Sequence, residues 1–361
     1  MKIGLLSPHY AYNYGAVLQA FALKHYLRSI GHDAVIINRR PAYQCAIPSL
    51  LGRMARKVEE FAKRSSFGKF EKQFLQPQTR PIILQSDWNN FSEYKFDAVI
   101  VGSDQVWRDN YVFNSFGFNL FLDFVEDGVK RIAYAPSLGK ESWEASDDVT
   151  DKVKLLLNKF NAISVREITS IPILKNKFGV DSQLVVDPSM LLTADEYQNK
   201  FCIPEKRDQY IAAYILDDNK MFNKNLNRLS HDAGMPVHKI GVKSPNSSIR
   251  VMLNRFRPMP SVTKWVENIA NSNGVVTNSF HGMMFSIIFR KQFVVVMNNK
   301  RGAARFLSLL KMFGLGDRLI DESNSNYYSL LSTPIDFESI EDNINHWRNI
   351  SIEFLCNNLK E

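Results

Sequence analysis

"SVTKWVENIANSNGVVTNSFHGMMFSIIFRKQFVVVM", residues 261–297, carries two apolar runs too short for helices, "GVVT" and "QFVVV", each adjoining a stretch with helical spacing. The order reads as helix, strand, turn, helix, strand, which is the repeating unit of an α/β fold. The turn "TNSFHG" places His281 at the head of an apolar helix, between Thr277, Asn278 and Ser279 on one side and Gly282 on the other.

The same alternation extends in both directions. Upstream, "QYIAAYIL" (209–216) reads as a strand, "KMFNKNLNRLSHDAG" (220–234) as a helix closed by Gly234, and "PVHKIGV" (236–242) as a strand. The chain begins in the same way, with "KIGLLS" (2–7), a helix over "NYGAVLQAFALKHYLRSIG" (13–31) ending at Gly31, and "DAVIINRR" (33–40). Then "FDAVIVGSDQVW" (96–107), "VKRIAYAPSLGK" (129–140), "NAISVREITSIPIL" (161–174) and "SQLVVDPSMLL" (182–192) each end an apolar run in glycine, proline or small polar residues. Ligands of open parallel sheets bind just outside the carboxyl ends of such strands. We read two successive α/β halves, domains 1–195 and 196–340, with no glycine- or serine-rich linker and hence a cleft between them. A last helix, "SIEDNINHWRNISIEFLCNNLK" (339–360), is expected to cross back, so that 341–361 joins the first half.

With 361 residues, 45% hydrophobic and 23% charged, the chain has the composition of a folded two-domain protein, which excludes disorder. No stretch approaches the ~20 apolar residues of a membrane span, and "MKIGLLSPHYAYNYG" does not make a signal peptide, so a cytoplasmic location is expected. Cys45, Cys202 and Cys356 have neither metal nor redox spacing. The net charge of +8 favours anionic partners, and the basic residues gather in "LLGRMARKVEEFAKRSSFGKFEKQF" (50–74), either an amphipathic membrane-surface segment or simply a solvated helix face.

Several residues stand at strand ends, where structure and ligand binding use the same positions. Asn13, Tyr14 and Gly15 open the first helix, whose unpaired donors suit an anion or a sugar, although Asn13 also fits a plain N-cap. Asp104 follows a strand and could orient or deprotonate a sugar hydroxyl, with Ser103 beside it and Trp107 as a flat surface for the ring. Equally, Ser103 or Asp104 caps the next segment and Trp107 is core. Arg166 ends another strand, placed to grip carboxylate or phosphate, or else to pair at the surface alongside Glu167. His281 is either a buried ring satisfied by a carbonyl or a proton donor beside a bound phosphate. There is no G-x-G-x-x-G after a strand, no Walker A loop, no Cys/His metal cluster and no H-E-x-x-H. The residues alone therefore stop at a two-domain α/β transferase with an anion-binding cleft.

Taken in order, "NYGAVLQAFAL", "VGSDQVW", "APSLGK", "SVRE", "VVDPSMLL" and "TNSFHGMMFSI" resemble the polysaccharide pyruvyl transferase family from residue 13 to about 297. The resemblance implies a GT-B-like architecture, two Rossmann-like domains facing a central cleft, with the acceptor on the first and the donor on the second. It implies transfer of pyruvate from phosphoenolpyruvate onto two hydroxyls of one sugar, in a surface polysaccharide or its lipid-linked precursor, with no cofactor and no metal. His281 matches the family's histidine and Arg166 its arginine, while Ser279 stands where a family arginine precedes the histidine by two residues. The expected catalytic residues are His281 and Asp104. Arg166, Lys239, Asn278, Ser279 and Gly282 are expected to bind the donor, and Asn13, Tyr14, Gly15, Ser103 and Trp107 the acceptor. Residues 50–74 would touch the inner face of a membrane. The alternative is a glycosyltransferase using a nucleotide sugar; nucleic-acid binding lacks any motif.

Overall fold

The apolar runs "KIGLL" and "DAVII" form β1 (Lys2–Leu6) and β2 (Asp33–Ile37), joined by the helix Tyr14–Ser29. That helix starts at Asn13, whose side chain accepts from Gly15 N at 3.0 Å, and ends at Gly31, where a φ of +92° lets the chain turn out. It is buried almost all round up to Leu27. The computed structural model describes residues 1–9, 13–40, 66–108, 116–206, 209–217, 219–241, 259–297, 304–324 and 326–360. Cys45, Val242 and the 50–65 part of the basic segment lie outside the described residues.

The chain divides into two compact units. The first holds the described residues up to 40, those of 72–192, and 342–360; the second holds 66–71 and the described part of 193–341. In the first unit β1, β2, β3 (Ala98–Val101), β4 (Lys130–Ala133), β5 (Ala162–Val165) and β6 (Gln183–Leu184) form one parallel sheet in the order β2-β1-β3-β4-β5-β6. Strands covered on both faces must be apolar throughout rather than alternating, and β3, Ala-Val-Ile-Val, is buried at every position. The register runs Lys2↔Asp33 to Leu6↔Ile37 on one side of β1 and Ile3↔Ala98 to Leu6↔Val101 on the other. Winding therefore reverses between β1 and β3, and the crevice at their carboxyl ends is the switch point where such sheets bind ligands.

The second unit repeats the plan. Its strands are β7 (Ile211–Tyr214), β8 (Val237–Lys239), β9 (Gly274–Thr277), β10 (Gln292–Val296) and β11 (Leu319–Ile320), parallel and ordered β11-β10-β9-β7-β8. Read from β7, this is again the order second, first, third, fourth, fifth, and its switch point lies between β7 and β9. The core on one face of this sheet packs Ile211, Ala213, Val276 and Val294 against Phe222, Leu226 and Tyr327.

The C-terminal helix Phe337–Asn358 begins in the second unit and ends in the first. Within the first unit Ser351 Oγ accepts from Val186 N at 2.9 Å and Arg348 Nε donates to Met190 O at 2.9 Å. Among the described residues no helix is long and apolar enough to cross a membrane.

Candidate active site

His281 lies at the switch point of the second unit. β9 ends at Thr277, whose Oγ1 donates to Tyr214 O at the end of β7 (2.7 Å) and accepts from Ser279 N (3.0 Å). Asn278 bridges the same two strand ends: its Oδ1 accepts from Leu216 N at 2.7 Å and its Nδ2 donates to Asp217 O at 3.4 Å. Ser279 caps the helix Phe280–Ile288, accepting from Gly282 N at 3.5 Å. The polar residues around the histidine thus sew the strand ends into a rigid turn. His281 sits in the first turn of that helix, 5% exposed, with Phe280 edge-on to its ring at 5.5 Å.

Gly282 allows the helix to approach the strand. A Cβ there would stand 2.3 Å from Thr277 Oγ1 and 3.1 Å from Tyr214 Cδ1. Thr277 cannot rotate away without giving up both of its hydrogen bonds. Gly282→Ala is therefore expected to destabilise the second unit by about 1–3 kcal/mol, at roughly 2–4 °C per kcal/mol in thermal unfolding; an unchanged melting temperature would show that the turn relaxes freely.

At the first unit's switch point, β3 runs into Gly102-Ser103-Asp104. Asp104 has φ +80° and Ala135, after β4, has φ +56°, left-handed conformations that favour glycine. They persist because the two segments are stitched together: Asp104 O accepts from Val106 N (2.7 Å) and Ser137 N (2.9 Å), while Asp104 Oδ1 accepts from Gln105 N (2.8 Å). The Asp104 side chain keeps 18% exposure, enough for a hydroxyl to reach it.

Behind it lies a buried ion cluster. The guanidinium of Arg166, 1% exposed, stands 2.6 Å from Asp187 Oδ2, 3.3 Å from Glu167 Oε1 and 3.7 Å from Asp104 Oδ1. Ser103 Oγ lies 2.8 Å from both Ala135 O and Asp187 Oδ2 and accepts from Arg166 Nη1 at 3.0 Å. Burial works against the charge of Arg166, but Asp187, Glu167 and Asp104 outweigh it and hold its pKa above the ordinary value.

The geometry revises several sequence expectations. Trp107 is core: its ring is 0% exposed, stacks on Phe121 at 5.4 Å, and its Nε1 donates to Leu120 O at 2.9 Å, so no face is left for a sugar. Tyr14 and Ser103 are buried too, and Asn13 is spent as the N-cap on the very donor, Gly15 N, that a ligand would use. Arg166 belongs to the first unit and has three carboxylates around it. Lys239 is exposed on the edge strand β8, separated from β9 by β7, and its Nζ donates to Asn223 Oδ1.

Two residues escaped the sequence reading. Asp187 was visible only as part of "VVDPSMLL", yet it anchors Arg166 and accepts from Ser189 N at 3.0 Å. Arg305 opens the helix Ala304–Phe313 after β10, and its guanidinium lies 5.7 Å from the centre of the Phe280 ring. Among the described residues no group of histidine, cysteine and carboxylate side chains is placed to hold a metal ion.

Comparison with known proteins adds the family. No curated protein matches the chain in sequence. Among solved structures, the chain is similar to UDP-GlcNAc 2-epimerase from Neisseria meningitidis bound to UDP-GlcNAc (TM-score 0.56, 10% identity, covering 99% of this chain and 100% of that one). It also matches S. aureus MnaA with UDP (TM-score 0.49, 12% identity, 100% and 98% covered) and E. coli ADP-heptose lps heptosyltransferase II (TM-score 0.37, 14% identity, 98% and 100% covered). The first likeness shows the fold alone, a GT-B-type fold of two parallel-sheet α/β units. The sequence pattern of one enzyme family spans residues 13–300, taking in both switch points with Asp104, Arg166 and His281, and on that match the chain belongs to the polysaccharide pyruvyl transferase family.

Proposed function

We propose that this protein is a ketalpyruvyl transferase that moves pyruvate from phosphoenolpyruvate onto two hydroxyls of one sugar in a surface polysaccharide or its lipid-linked precursor. The observation that carries this reading is His281, a proton-carrying side chain fixed at the head of a helix on the second unit's switch point, in a chain of this family. Phosphoenolpyruvate is anionic at both its carboxylate and its phosphate, and a helix start presents unpaired N–H groups and partial positive charge to such a ligand. The first turn of this helix holds no acidic residue to oppose it.

In the proposed reaction protonated His281 delivers a proton to the methylene carbon, which makes the neighbouring carbon electrophilic. One sugar hydroxyl adds there and passes its proton to a base; Asp104 takes that role because its carboxylate is accessible and held by its turn. The bond from carbon to the phosphate oxygen breaks. The second hydroxyl adds, its proton leaves with the phosphate, and the products are the cyclic ketal and inorganic phosphate. Asn278, Ser279 and Gly282 serve by fixing the turn that carries His281, while Asn13 and Gly15 shape the helix start beside the acceptor.

Thermal unfolding with phosphoenolpyruvate, phosphate, pyruvate or UDP-GlcNAc tests the donor. Phosphoenolpyruvate at a hundred times its dissociation constant is expected to stabilise the protein by about 2.7 kcal/mol. Stabilisation by UDP-GlcNAc and not by phosphoenolpyruvate would instead favour glycosyl transfer on the same fold.

A further inference from the structure

We propose that Ser7 and Gln19 hold one hydroxyl of the acceptor sugar at the first unit's switch point, an inference that rests on the transfer reading above. A cyclic ketal takes two hydroxyls of one sugar. Asp104 serves one of them as base, and the other needs a partner of its own.

Gln19 lies in the second turn of the helix Tyr14–Ser29, 0% exposed, with its amide turned to the end of β1. Its Nε2 donates to Ala16 O at 2.8 Å and to Ser7 Oγ. A carbonyl can only accept, so Ala16 O fixes which end of the amide is nitrogen, and both hydrogens of that nitrogen are spent. The Oε1 end is buried and has no hydrogen-bond partner among the described residues. Ser7 Oγ accepts from the amide and keeps its own hydrogen to donate. On its other side Ser7 is fixed by His9, whose backbone N and Nδ1 both donate to Ser7 O, at 2.8 and 2.9 Å.

Both polar atoms border Gly102, just past the end of β3, the strand beside β1. A Cβ on Gly102 would stand 3.4 Å from Ser7 Oγ and 3.5 Å from Gln19 Oε1. Glycine leaves the backbone bare at that point, where a bound group can come close. A hydroxyl both donates and accepts, so one sugar hydroxyl satisfies Gln19 Oε1 and the Ser7 O–H together. An ionised carboxylate cannot, because it brings no hydrogen to Gln19 Oε1. An acceptor left unpaired in the interior costs free energy that leucine in the same place would not. Binding gives the amide its use, since a site whose polar groups need a hydroxyl rejects a sugar that lacks it. Asp104 lies two residues beyond Gly102 with its carboxylate 18% exposed, so the hydroxyl that is held and the one that is deprotonated meet the same strand end.

The test compares wild type, Gln19→Leu and Ser7→Ala by thermal unfolding and by phosphate release from phosphoenolpyruvate with p-nitrophenyl galactosides, glucosides and mannosides. For the best of these glycosides KM is expected to rise roughly tenfold or more in Gln19→Leu and less in Ser7→Ala, while stabilisation by phosphoenolpyruvate and the melting temperature without ligand change little. Wild type should reject the monodeoxy analogue that lacks the held hydroxyl, and Gln19→Leu should treat glycoside and analogue alike. Should Gln19→Leu fail to fold, Ser7→Ala decides by the same measurements. An unchanged KM, or discrimination against the analogue that survives in the variants, means that a buried water only fills the place and overturns the proposal. If glycosides stabilise wild type and phosphoenolpyruvate does not, the transfer reading fails, and Ser7 and Gln19 are judged by glycoside stabilisation in the same variants. If no glycoside turns over or stabilises wild type, both proposals fall.

Discussion

His281→Gln is expected to lower phosphoenolpyruvate-dependent transfer by about 10²–10⁴-fold, the usual contribution of a positioned acid, while the melting temperature changes little. Glutamine has similar bulk, and the turn beneath the ring is held by Thr277, Asn278 and Ser279 rather than by the imidazole. Phosphate release in the presence of a panel of p-nitrophenyl glycosides measures the loss. Binding of phosphoenolpyruvate, read by thermal stabilisation, should survive, because protonation of the methylene carbon belongs to the transition state and not to the bound substrate. The pH dependence supplies a second readout. An acid acts only when protonated, so a fall in rate toward high pH is expected in the wild type, and that limb should be missing from the residual rate of the variant. A variant with the wild-type rate and the wild-type limb would remove His281 from the chemistry.

How much of this could be read from the sequence depends on the range of the interactions concerned. The opening strand, helix and strand, the caps at Asn13 and Gly31, and the strand and helix around His281 are set by contacts a few residues apart, and they stand where the apolar spacing puts them. β11 has only two residues, too short for periodicity to register. The roles of Trp107, Ser103 and Arg166 depend on partners distant in the chain. Ser103 and Asp187 are 84 positions apart, Arg166 and Ser103 63, so a residue at a strand end looks the same in sequence whether it faces a ligand or a buried counter-ion.

The buried cluster leads to the largest expected effect on stability, that of Asp187→Ala. The Asp187 and Arg166 side chains are 0% and 1% exposed and 2.6 Å apart. Removing one partner of such a pair leaves a desolvated charge, at about 3–5 kcal/mol, and here Ser103 Oγ and Ser189 N lose an acceptor as well. Glu167 and Asp104 stay beside the guanidinium but at 3.3 and 3.7 Å, without the short contact that Asp187 makes. A fall in melting temperature of roughly 10 °C is expected at 2–4 °C per kcal/mol, measured by calorimetry. Asp187→Asn keeps an acceptor for Ser189 N and should be milder. The decisive comparison is the pair Asp187→Ala with Arg166→Met, which removes the stranded guanidinium but leaves Glu167, 2% exposed, without its cation, so only part of the loss should return. Asp104 then separates structure from function. Its left-handed turn is braced by Arg166 on the side-chain face and by Ser137 N on the backbone. A double variant that regains that part of its stability but still transfers pyruvate slowly, with phosphoenolpyruvate binding intact, would mean that the buried pair holds Asp104 for the acceptor. Recovery of transfer as well would make the cluster a device of folding alone.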